Sequence, residues 1–414
     1  MAHIGFVFPP VPGHMNANAT LARALVRRGH RVTVFHIPPA RTVIEAQQLS
    51  FQPVCEDDAN TRALAASVDR LGALTGLRAL RFTVRCGAAL TRILCEHAPA
   101  AIRTANVDLL VVDQNEPAGG SVAQHLRLPF VNVAFLPLNR EPQMPPPFVP
   151  WGHDGRLWTT LRNQLAYAIF DRLIAPVNRV LNEYRGRWNL PLVRRPDDTF
   201  SDVAQLSQLT EDFDFPRQQK PASLHYLGPF FDDSRPPVSF PYERLSGKPL
   251  VYASFGTLLK RKDLLEMIAI ACADLDVQLV LSARGEAAMH PDRFAGAPIV
   301  VEQAPQLELL RRAAVCITHA GLNTVMESLT FGVPMVALPI TNDQPAVAAR
   351  VGRVGAGEVI SPGRATAARL RSAIERVLRE PGYRQAAGKM RNSIAQAGGV
   401  DRAADIIETV LRRQ

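Results

Sequence analysis

Residues 303–344 read QAPQLELLRRAAVCITHAGLNTVMESLTFGVPMVALPITNDQ, and this stretch decides the fold of the chain. An apolar run at residues 314–317 gives way to the segment THAGLNT, residues 318–324, and then to a helical pattern. This order predicts a buried strand that leads into a helix N-terminus. The unpaired N–H groups and the positive dipole end of such a helix bind anions, and Gly321 lets a ligand approach the backbone closely. A phosphate group is therefore the expected ligand.

The polar side chains of the stretch are suited to a phosphorylated sugar. Three residues beside the helix start, His319, Asn323 and Thr324, supply hydrogen-bond donors. Glu327 supplies a carboxylate one turn later. A carboxylate on this face can accept hydrogen bonds from sugar hydroxyls. A second apolar run, residues 333–338, leads into a segment that ends with two polar side chains, Asp343 and Gln344.

The segment resembles the donor-binding signature of the family 1 glycosyltransferases of the GT-B fold, which use nucleotide sugars. Its amino-acid sequence is similar to that of bacterial carotenoid (zeaxanthin) glucosyltransferases and, less closely, to that of macrolide glycosyltransferases. Many positions agree in order over about forty residues, far more than a short chance pattern supplies. The resemblance implies an α/β protein with two facing Rossmann-like domains, parallel sheets and a deep cleft between them.

The resemblance also implies a role for each matching residue. The diphosphate would be held by His319, Asn323 and Thr324, the ribose by Gln306 and Glu327, and the sugar hydroxyls by Asp343 and Gln344. Gly256 and Thr257, after another strand, would add a phosphate contact, and Gln303 and Ala304 complete the donor set. Many members have a tryptophan that stacks on uracil where this chain has Gln303. Base recognition therefore rests on backbone contacts or another side chain, and both UDP and dTDP stay open as the donor nucleotide.

Length and composition describe a globular protein with an ample core. The 414 residues are 47% hydrophobic and 21% charged, which suits two or three domains. No apolar run is long enough to cross a membrane, and the chain opens on a strand-like segment, residues 4–8, without a basic-then-apolar leader. We therefore expect a cytoplasmic protein. Five cysteines without paired spacing favour reduced thiols over disulfides or a zinc site.

The net charge of +9 has three interpretations. Between Arg62 and Arg103, seven arginines stand against Asp69 and Glu96 in a long helical region. A solvated helical face is the favoured explanation. Contact with an anionic membrane surface is the second, because an acceptor dissolved in lipid would need it, and it would place the protein at the inner face of the membrane. Nucleic acid is the least favoured partner, since no binding motif or aromatic platform accompanies the charge.

The first 135 residues alternate strand-like and helical patterns, which is typical of a parallel sheet covered by helices on both faces. Such sheets bind ligands at the carboxyl ends of their strands. The first strand is followed by a loop that contains His14 and has no G-x-G-x-x-G pattern, and a later strand ends at Asp113. These two residues are expected to meet at one sheet edge. The resemblance implies that His14 is the catalytic base and that Asp113 orients it.

A proline-rich loop, residues 137–151, precedes a helical pattern with apolar residues at Leu157, Leu161, Leu165 and Ala168, interspersed with aromatic residues. One interpretation is an ordinary core-facing helix. The other, which the resemblance favours, is the wall of an apolar acceptor pocket. Both can hold together.

The domain boundaries follow from composition. Residues 1–228 form the predicted acceptor-binding domain, and residues 229–248, rich in proline, aspartate and serine, form a linker. A second alternating series, residues 249–390, forms the predicted nucleotide-sugar-binding domain, and residues 391–414 form C-terminal helices. The resemblance implies that the last helix, residues 403–411, crosses back to the first domain.

Two D-x-D patterns, residues 212–214 and 274–276, raise the question of a metal. Neither lies beside the phosphate-binding helix, so neither a metal nor another cofactor is expected. The sequence thus favours an inverting, metal-independent transfer of a hexose, glucose above all, from UDP-sugar to a hydroxyl of a small apolar acceptor such as a carotenoid, polyketide or flavonoid. A nucleotide-sugar epimerase of the same fold, a dTDP-sugar-dependent transferase and a non-catalytic binding protein are the alternatives.

Overall fold

Two parallel sheets organise the molecule. A computed structural model describes residues 1–71, 76–232, 237–255, 262–283 and 290–413. The first sheet has the strand order β3-β2-β1-β4-β5-β6-β7, and the second has the order β10-β9-β8-β11-β12-β13. All of the strand pairs described in both sheets are parallel. The predicted α/β class with two parallel sheets is confirmed.

The strands of the first sheet are β1 His3–Val7, β2 Arg31–His36, β3 Ser50–Pro53, β4 Leu109–Asp113, β5 Phe130–Ala134, β6 Gln205–Ser207 and β7 Leu224–Tyr226. Those of the second are β8 Leu250–Ser254, β9 Gln278–Ser282, β10 Ile299–Val301, β11 Ala313–Thr318, β12 Met335–Ala337 and β13 Gly357–Val359. The central strands β1, β4, β5 and β8 are buried along their whole length. Helices on both faces of a parallel sheet require this, which is why these strands are almost continuously apolar.

The helices of the first domain are Pro12–Arg27, Arg41–Glu45, Ala59–Leu71, Gly76–Thr104, Pro117–Leu126 and Leu157–Arg187. Those that follow are Lys262–Ala273, Gln306–Arg312, Leu322–Thr330, Gln344–Val354, Ala367–Arg379, Pro381–Ala397 and Gly399–Arg412. Prolines open several of them, because the first helical position has no N–H partner to lose. No helix among the described residues is long and apolar enough to cross a membrane.

The last helix, Gly399–Arg412, lies against the first domain. The amide of Gly399 donates to the carbonyl of Leu227 at 2.7 Å. Arg28 pairs with Asp405 at 2.5 Å, at the end of the first helix of the chain. Residues 390 and 391, between which the sequence analysis divides the second domain from the C-terminal helices, both lie within helix Pro381–Ala397.

A buried ion-pair cluster joins the two domains. Asp214, 1% exposed, accepts hydrogen bonds from Arg350 of helix Gln344–Val354 at 2.7 and 2.9 Å. Arg217 pairs with the other carboxylate oxygen at 3.1 Å. Burial alone would raise the pKa of Asp214, but the two guanidinium groups outweigh it and hold that pKa below its ordinary value. The cluster fixes one domain against the other.

Candidate active site

His14 lies in the first turn of helix Pro12–Arg27, directly after β1. Its Nδ1 atom is 2.8 Å from Oδ2 of Asp113, the last residue of β4. The two residues meet because β1 and β4 are neighbours in the sheet and run in the same direction. The sequence placed His14 in a loop, but Pro12 starts the helix earlier and brings the histidine to its N-terminus.

Asp113 is held by donors on both of its oxygens. The side chain is fully buried, and its Oδ1 accepts from the amide of Asn115 at 2.9 Å. Asn18 donates to Oδ2 at 3.0 Å and also to the carbonyl of His14. Asn18 was missed at the sequence level, and its position one helical turn after His14 was the available signal. This network fixes both partners of the His-Asp pair.

The surroundings of the His14 ring favour its protonated form, because they raise its pKa. Burial lowers its pKa, but Asp113 and, more weakly, Asp343 outweigh this, so the pKa of His14 lies above its ordinary value of 6.5. The ring is 4.2 Å from that of Phe135, measured between centroids. Because Asp113 occupies Nδ1, the Nε2 atom is the one left to accept a proton from a substrate.

Asp343 places a carboxylate of the second domain near the His14 side chain. It stands directly before helix Gln344–Val354. Burial raises its pKa, and the His14 cation opposes that rise, which places the two side chains within electrostatic reach. The Gln344 side-chain oxygen accepts from the amides of Ile340 and Thr341, each at 2.9 Å. That oxygen therefore holds the loop, and the amide nitrogen is the part of Gln344 suited to a sugar.

The predicted anion site is present as a strand followed by a helix start. β11 ends at Thr318, and helix Leu322–Thr330 follows Gly321, with no described side chain capping it. A Cβ atom at Gly321 would lie 2.6 Å from Nε2 of His319, so a larger residue there would have to displace that ring. The first-turn N–H groups of this helix are available to an anion.

His319 is a neutral donor rather than a cation. Burial lowers its pKa to about 4. Its Nδ1 atom is buried and has no hydrogen-bond partner in the part of the chain that the structure describes. A neutral imidazole can still donate one N–H to a phosphate oxygen.

Asn323 connects this helix to the segment that carries His14. Its Nδ2 atom donates to the carbonyl oxygen of Gly13 at 2.9 Å. The sequence assigned this amide to the diphosphate, and here it joins the two domains beside His14. The carboxyl ends of the two sheets therefore face each other at this point.

The residues assigned to the ribose already contact one another. Gln306 donates to Glu327 at 2.6 Å and lies 3.5 Å from the Thr324 hydroxyl. Tyr252 of β8, which the sequence analysis missed, donates to the Gln306 oxygen at 3.2 Å. Glu327 is only 2% exposed. These hydrogen bonds join Tyr252, Gln306 and Glu327 into one polar network beside the first two turns of helix Leu322–Thr330.

Comparison with known proteins agrees with this geometry. The model of the family described as "UDP-glucoronosyl and UDP-glucosyl transferase" matches residues 7–414. The chain belongs to this family. It is an enzyme, a family 1 glycosyltransferase, and its donor is a nucleotide sugar.

Two relatives are similar along nearly the whole chain. The zeaxanthin glucosyltransferase of Pantoea ananas is 35% identical, over 99% of this chain and 96% of the relative. The zeaxanthin glucosyltransferase of Pseudescherichia vulneris is 33% identical, over 99% of this chain and 98% of the relative. The predicted resemblance to this group is confirmed.

Solved glycosyltransferases share the fold. The calicheamicin glycosyltransferase CalG4 has a TM-score of 0.76 at 22% identity and covers 100% of this chain and 99% of its own. The glycosyltransferase VinC, solved in complex with dTDP, has a TM-score of 0.72 at 19% identity, with 100% of both chains covered. These similarities confirm the GT-B fold.

Four of the family residues assigned from sequence are less informative. Gln303 is exposed, and Ala304 packs against the core of the second domain. Gly256 and Thr257 lie outside the described residues. The side chain of Gln303 therefore does not form a stacking platform for a base.

Glu116 is a further carboxyl group near the His14–Asp113 pair that the sequence analysis missed. It is 3% exposed, and its amide bonds to the carbonyl of Asp113 at 2.9 Å. Burial, and then the Asp113 carboxylate, raise the pKa of Glu116 to about 8. With this pKa, Glu116 is mostly protonated at neutral pH and adds little negative charge beside the His14–Asp113 pair.

The core-facing interpretation of the apolar helix after the proline-rich loop is wrong for its leucines, and the acceptor-pocket interpretation stays a prediction. Leu157, Leu161 and Leu165 are 65–86% exposed, so they do not face the core. The aromatic residues behave differently: Phe170 stacks on Phe148 at 4.6 Å. Helical spacing showed that the leucines share a face but not what covers that face.

Proposed function

We propose that this glycosyltransferase moves glucose from UDP-glucose to a hydroxyl of a small apolar acceptor, such as a carotenoid, polyketide or flavonoid, with inversion at the anomeric carbon. The single observation that carries the proposal is the 2.8 Å contact between His14 and Asp113, set between the two sheets. The names of the two zeaxanthin glucosyltransferase relatives support the choice of sugar and acceptor class.

The chemistry proposed is one displacement. Nε2 of His14 takes the proton of the acceptor hydroxyl while the acceptor oxygen attacks the anomeric carbon. Asp113 stabilises the imidazolium that forms, and Asn18 keeps the carboxylate in place. The bond to the diphosphate breaks on the opposite side of the carbon. An α-linked donor then yields a β-glycoside.

The leaving diphosphate needs compensation for its developing charge. The start of helix Leu322–Thr330 supplies N–H groups and a positive dipole end, and His319 supplies a further donor. Asp343 and Gln344 are the proposed partners of the sugar hydroxyls, since Asp343 is within electrostatic reach of His14.

The carboxylates of both D-x-D patterns are already engaged. Asp214 is paired with two arginines, and Asp212 accepts from Ser393 at 2.7 Å. Asp274 pairs with Arg371 at 2.6 Å, and Asp276 pairs with Lys248 at 2.9 Å. Carboxylates neutralised by a neighbouring cation are poor ligands for a metal ion. We therefore propose that transfer is metal-independent, and activity should survive excess EDTA.

The donor nucleotide is proposed as UDP, with dTDP as the second candidate because Gln303 offers no stacking surface. The family is one of transferases by its description, so the epimerase interpretation is not carried further.

The test of the proposal is a matrix of donors and acceptors. UDP-glucose, UDP-galactose and dTDP-glucose are each combined with carotenoid, polyketide, flavonoid and sterol alcohols, and nucleotide release is measured with and without acceptor. Acceptor-dependent release from UDP-glucose, with a β-linked product by proton NMR, is the expected result. An α-linked product, or release only from dTDP-glucose, would contradict the proposal. Loss of activity on chelation, with rescue by Mg²⁺ or Mn²⁺, would contradict metal independence.

A further inference from the structure

Helix Leu157–Arg187 has an inverted pattern of burial over its first half. Its polar residues Thr159 and Asn163 are buried, at 4% and 1% exposure. Thr159 donates to Asp154 at 2.6 Å, and Asn163 donates to the carbonyl of Gln143 at 3.0 Å. These contacts fix the rotation of the helix about its axis.

The opposite face of the same segment is apolar and open to solvent. We call it the apolar stripe, and its members, each 54–86% exposed, are Leu157, Trp158, Leu161, Leu165 and Ile169. Four of the five are spaced four residues apart, so they form one continuous band. Single exposed apolar residues are ordinary, but a band that spans more than three turns marks a binding surface.

The stripe has arginines along its flank. Arg162 stacks over the rings of Trp151 and Trp158, with distances to their centroids of 4.2 and 5.1 Å. Arg156 and Arg172 are exposed at the two ends of the stripe. Arginines can bury their stems beside apolar groups while the charged head reaches an anion.

A second basic row comes from helix Gly76–Thr104. Gly87 lies against Val177, and Arg92 pairs with Glu183 at 3.0 Å. The two helices therefore run side by side in the same direction. The turns before Gly87 and the turns before Val177 therefore extend toward the same end of this helix pair, and the latter carry the end of the stripe.

Those turns of helix Gly76–Thr104 carry Arg78, Arg81 and Arg85, all exposed. Within the described residues, none of the three has an ion-pair partner. An apolar band beside unpaired arginines matches one surface chemically: acyl chains next to anionic headgroups. The position of Trp158 fits too, because tryptophan favours the boundary between the two.

We propose that the apolar stripe docks this enzyme on an anionic lipid bilayer, with the stripe entering the headgroup region and the flanking arginines contacting lipid phosphates. A second copy of the chain is a poorer occupant. A twofold contact through the stripe would bring the arginine rows of the two copies together, and like charges repel.

Vesicle binding tests the proposal without donor or acceptor, so its outcome is independent of the proposed function. The full-length protein is sedimented with vesicles of phosphatidylcholine alone and of an equimolar mixture with phosphatidylglycerol. We expect binding to the mixed vesicles, weakened by salt, and a blue shift of tryptophan emission. The double variant Leu161→Glu/Leu165→Glu should lose on the order of tenfold or more of this binding. Arg81→Glu/Arg85→Glu should lose the preference for anionic vesicles.

Ile270→Glu is the matched control, because Ile270 is also exposed, at 49%, but lies on helix Lys262–Ala273 in the second domain. This variant should bind vesicles as the parent does, and far-UV circular dichroism verifies that all variants fold. Equal vesicle binding by the parent and the double leucine variant would overturn the proposal. So would a concentration-dependent dimer, seen by sedimentation velocity, that disappears in the double leucine variant, since the stripe would then bind a second copy.

Discussion

The side-chain amide of Asn323 donates a 2.9 Å hydrogen bond to the carbonyl oxygen of Gly13, 310 positions earlier in the chain. Gly13 precedes His14, and Asn323 lies in the first turn of the helix proposed to hold the diphosphate. The proposed donor site and the segment that carries His14 are therefore in direct contact through one hydrogen bond. The Asn323 NH2 group has two N–H donors, so it can hold Gly13 with one and offer the other to a diphosphate.

The first prediction concerns the donor site. His319→Ala and Glu327→Ala should each weaken UDP binding by about 1–3 kcal/mol, because each removes a polar partner from a buried setting. Calorimetric titration with UDP measures the effect. Glu308→Ala is the control, since Glu308 lies on the neighbouring helix Gln306–Arg312 but is exposed. Unchanged affinity in both site variants would remove this stretch from the donor site.

The second prediction concerns the space beneath His319. A methyl group at Gly321 would lie 2.6 Å from Nε2 of that ring, so Gly321→Ala should displace it and weaken UDP binding about as much as His319→Ala. The double variant should bind little worse than either single one, because both remove the same contact. Gly363→Ala is the control, since no atom lies within 4 Å of its Cβ position. Additive losses in the double variant would show that the two residues act separately.

Asp214 and Asp276, the last residues of the two D-x-D patterns, should differ sharply in their effect on stability. Asp214→Asn leaves Arg350 buried without its anion and leaves Arg217 with only Glu141, 3.5 Å away, which should cost about 3–5 kcal/mol of unfolding free energy. Asp276→Asn breaks an exposed pair with Lys248 and should cost less than about 1 kcal/mol. Urea unfolding at neutral pH compares them, and similar midpoints would refute the structural role of the buried cluster.

The ion pairs of Asp214 also predict how the stability of the protein depends on pH. The folded-state pKa of Asp214 is lowered, so its contribution is present above the ordinary carboxyl pKa of 3.8 and is lost as the pH falls through the folded value. The stability gap between the parent and Asp214→Asn should therefore narrow on acidification below about pH 4.

The sequence was sufficient for the parts of the fold that rest on long apolar runs. β1, β4 and β11 are buried on both faces, so their sequences are continuously apolar and their ends could be located. Because parallel strands end at one edge, the meeting of His14 and Asp113 could also be predicted. The short strands β3 and β13 could not, since three or four residues at a sheet edge have no distinct pattern.

The partners of the site residues could not be predicted from the sequence, for a different reason. Tyr252 reaches Gln306, 54 positions later in the chain, only through the packing of separate elements. Glu116 lies three residues after Asp113, but its local sequence holds no motif that shows its burial. The exposed leucines at 157, 161 and 165 show the same limit. Periodicity identifies residues that share a helix face, but contacts with other elements decide whether that face is buried.

The pH profile of turnover follows from the His14 pKa. Its neutral form is the base, and Asp113 raises its pKa, so kcat/KM should rise with pH along a limb whose apparent pKa exceeds 6.5. In Asp113→Asn the raising carboxylate is gone while the burial that lowers the pKa remains, so the limb should move to lower pH as the overall rate falls. Initial rates at saturating and limiting acceptor across pH 5–9, about the range in which histidine titrates, measure both. If the limb lies at the same pH in both proteins, Asp113 does not raise the pKa of the catalytic base, and its proposed role is wrong.

The most direct test of the His-Asp mechanism is His14→Ala measured for both turnover and UDP affinity. We expect kcat to fall by about 10²–10⁴-fold, the loss typical of a removed general base, while the dissociation constant for UDP changes little because the donor contacts come from the second domain. His97→Ala, an exposed histidine on helix Gly76–Thr104, should keep full activity. If His14→Ala keeps near-parental kcat on an unactivated alcohol, His14 is not the base and the mechanism is wrong.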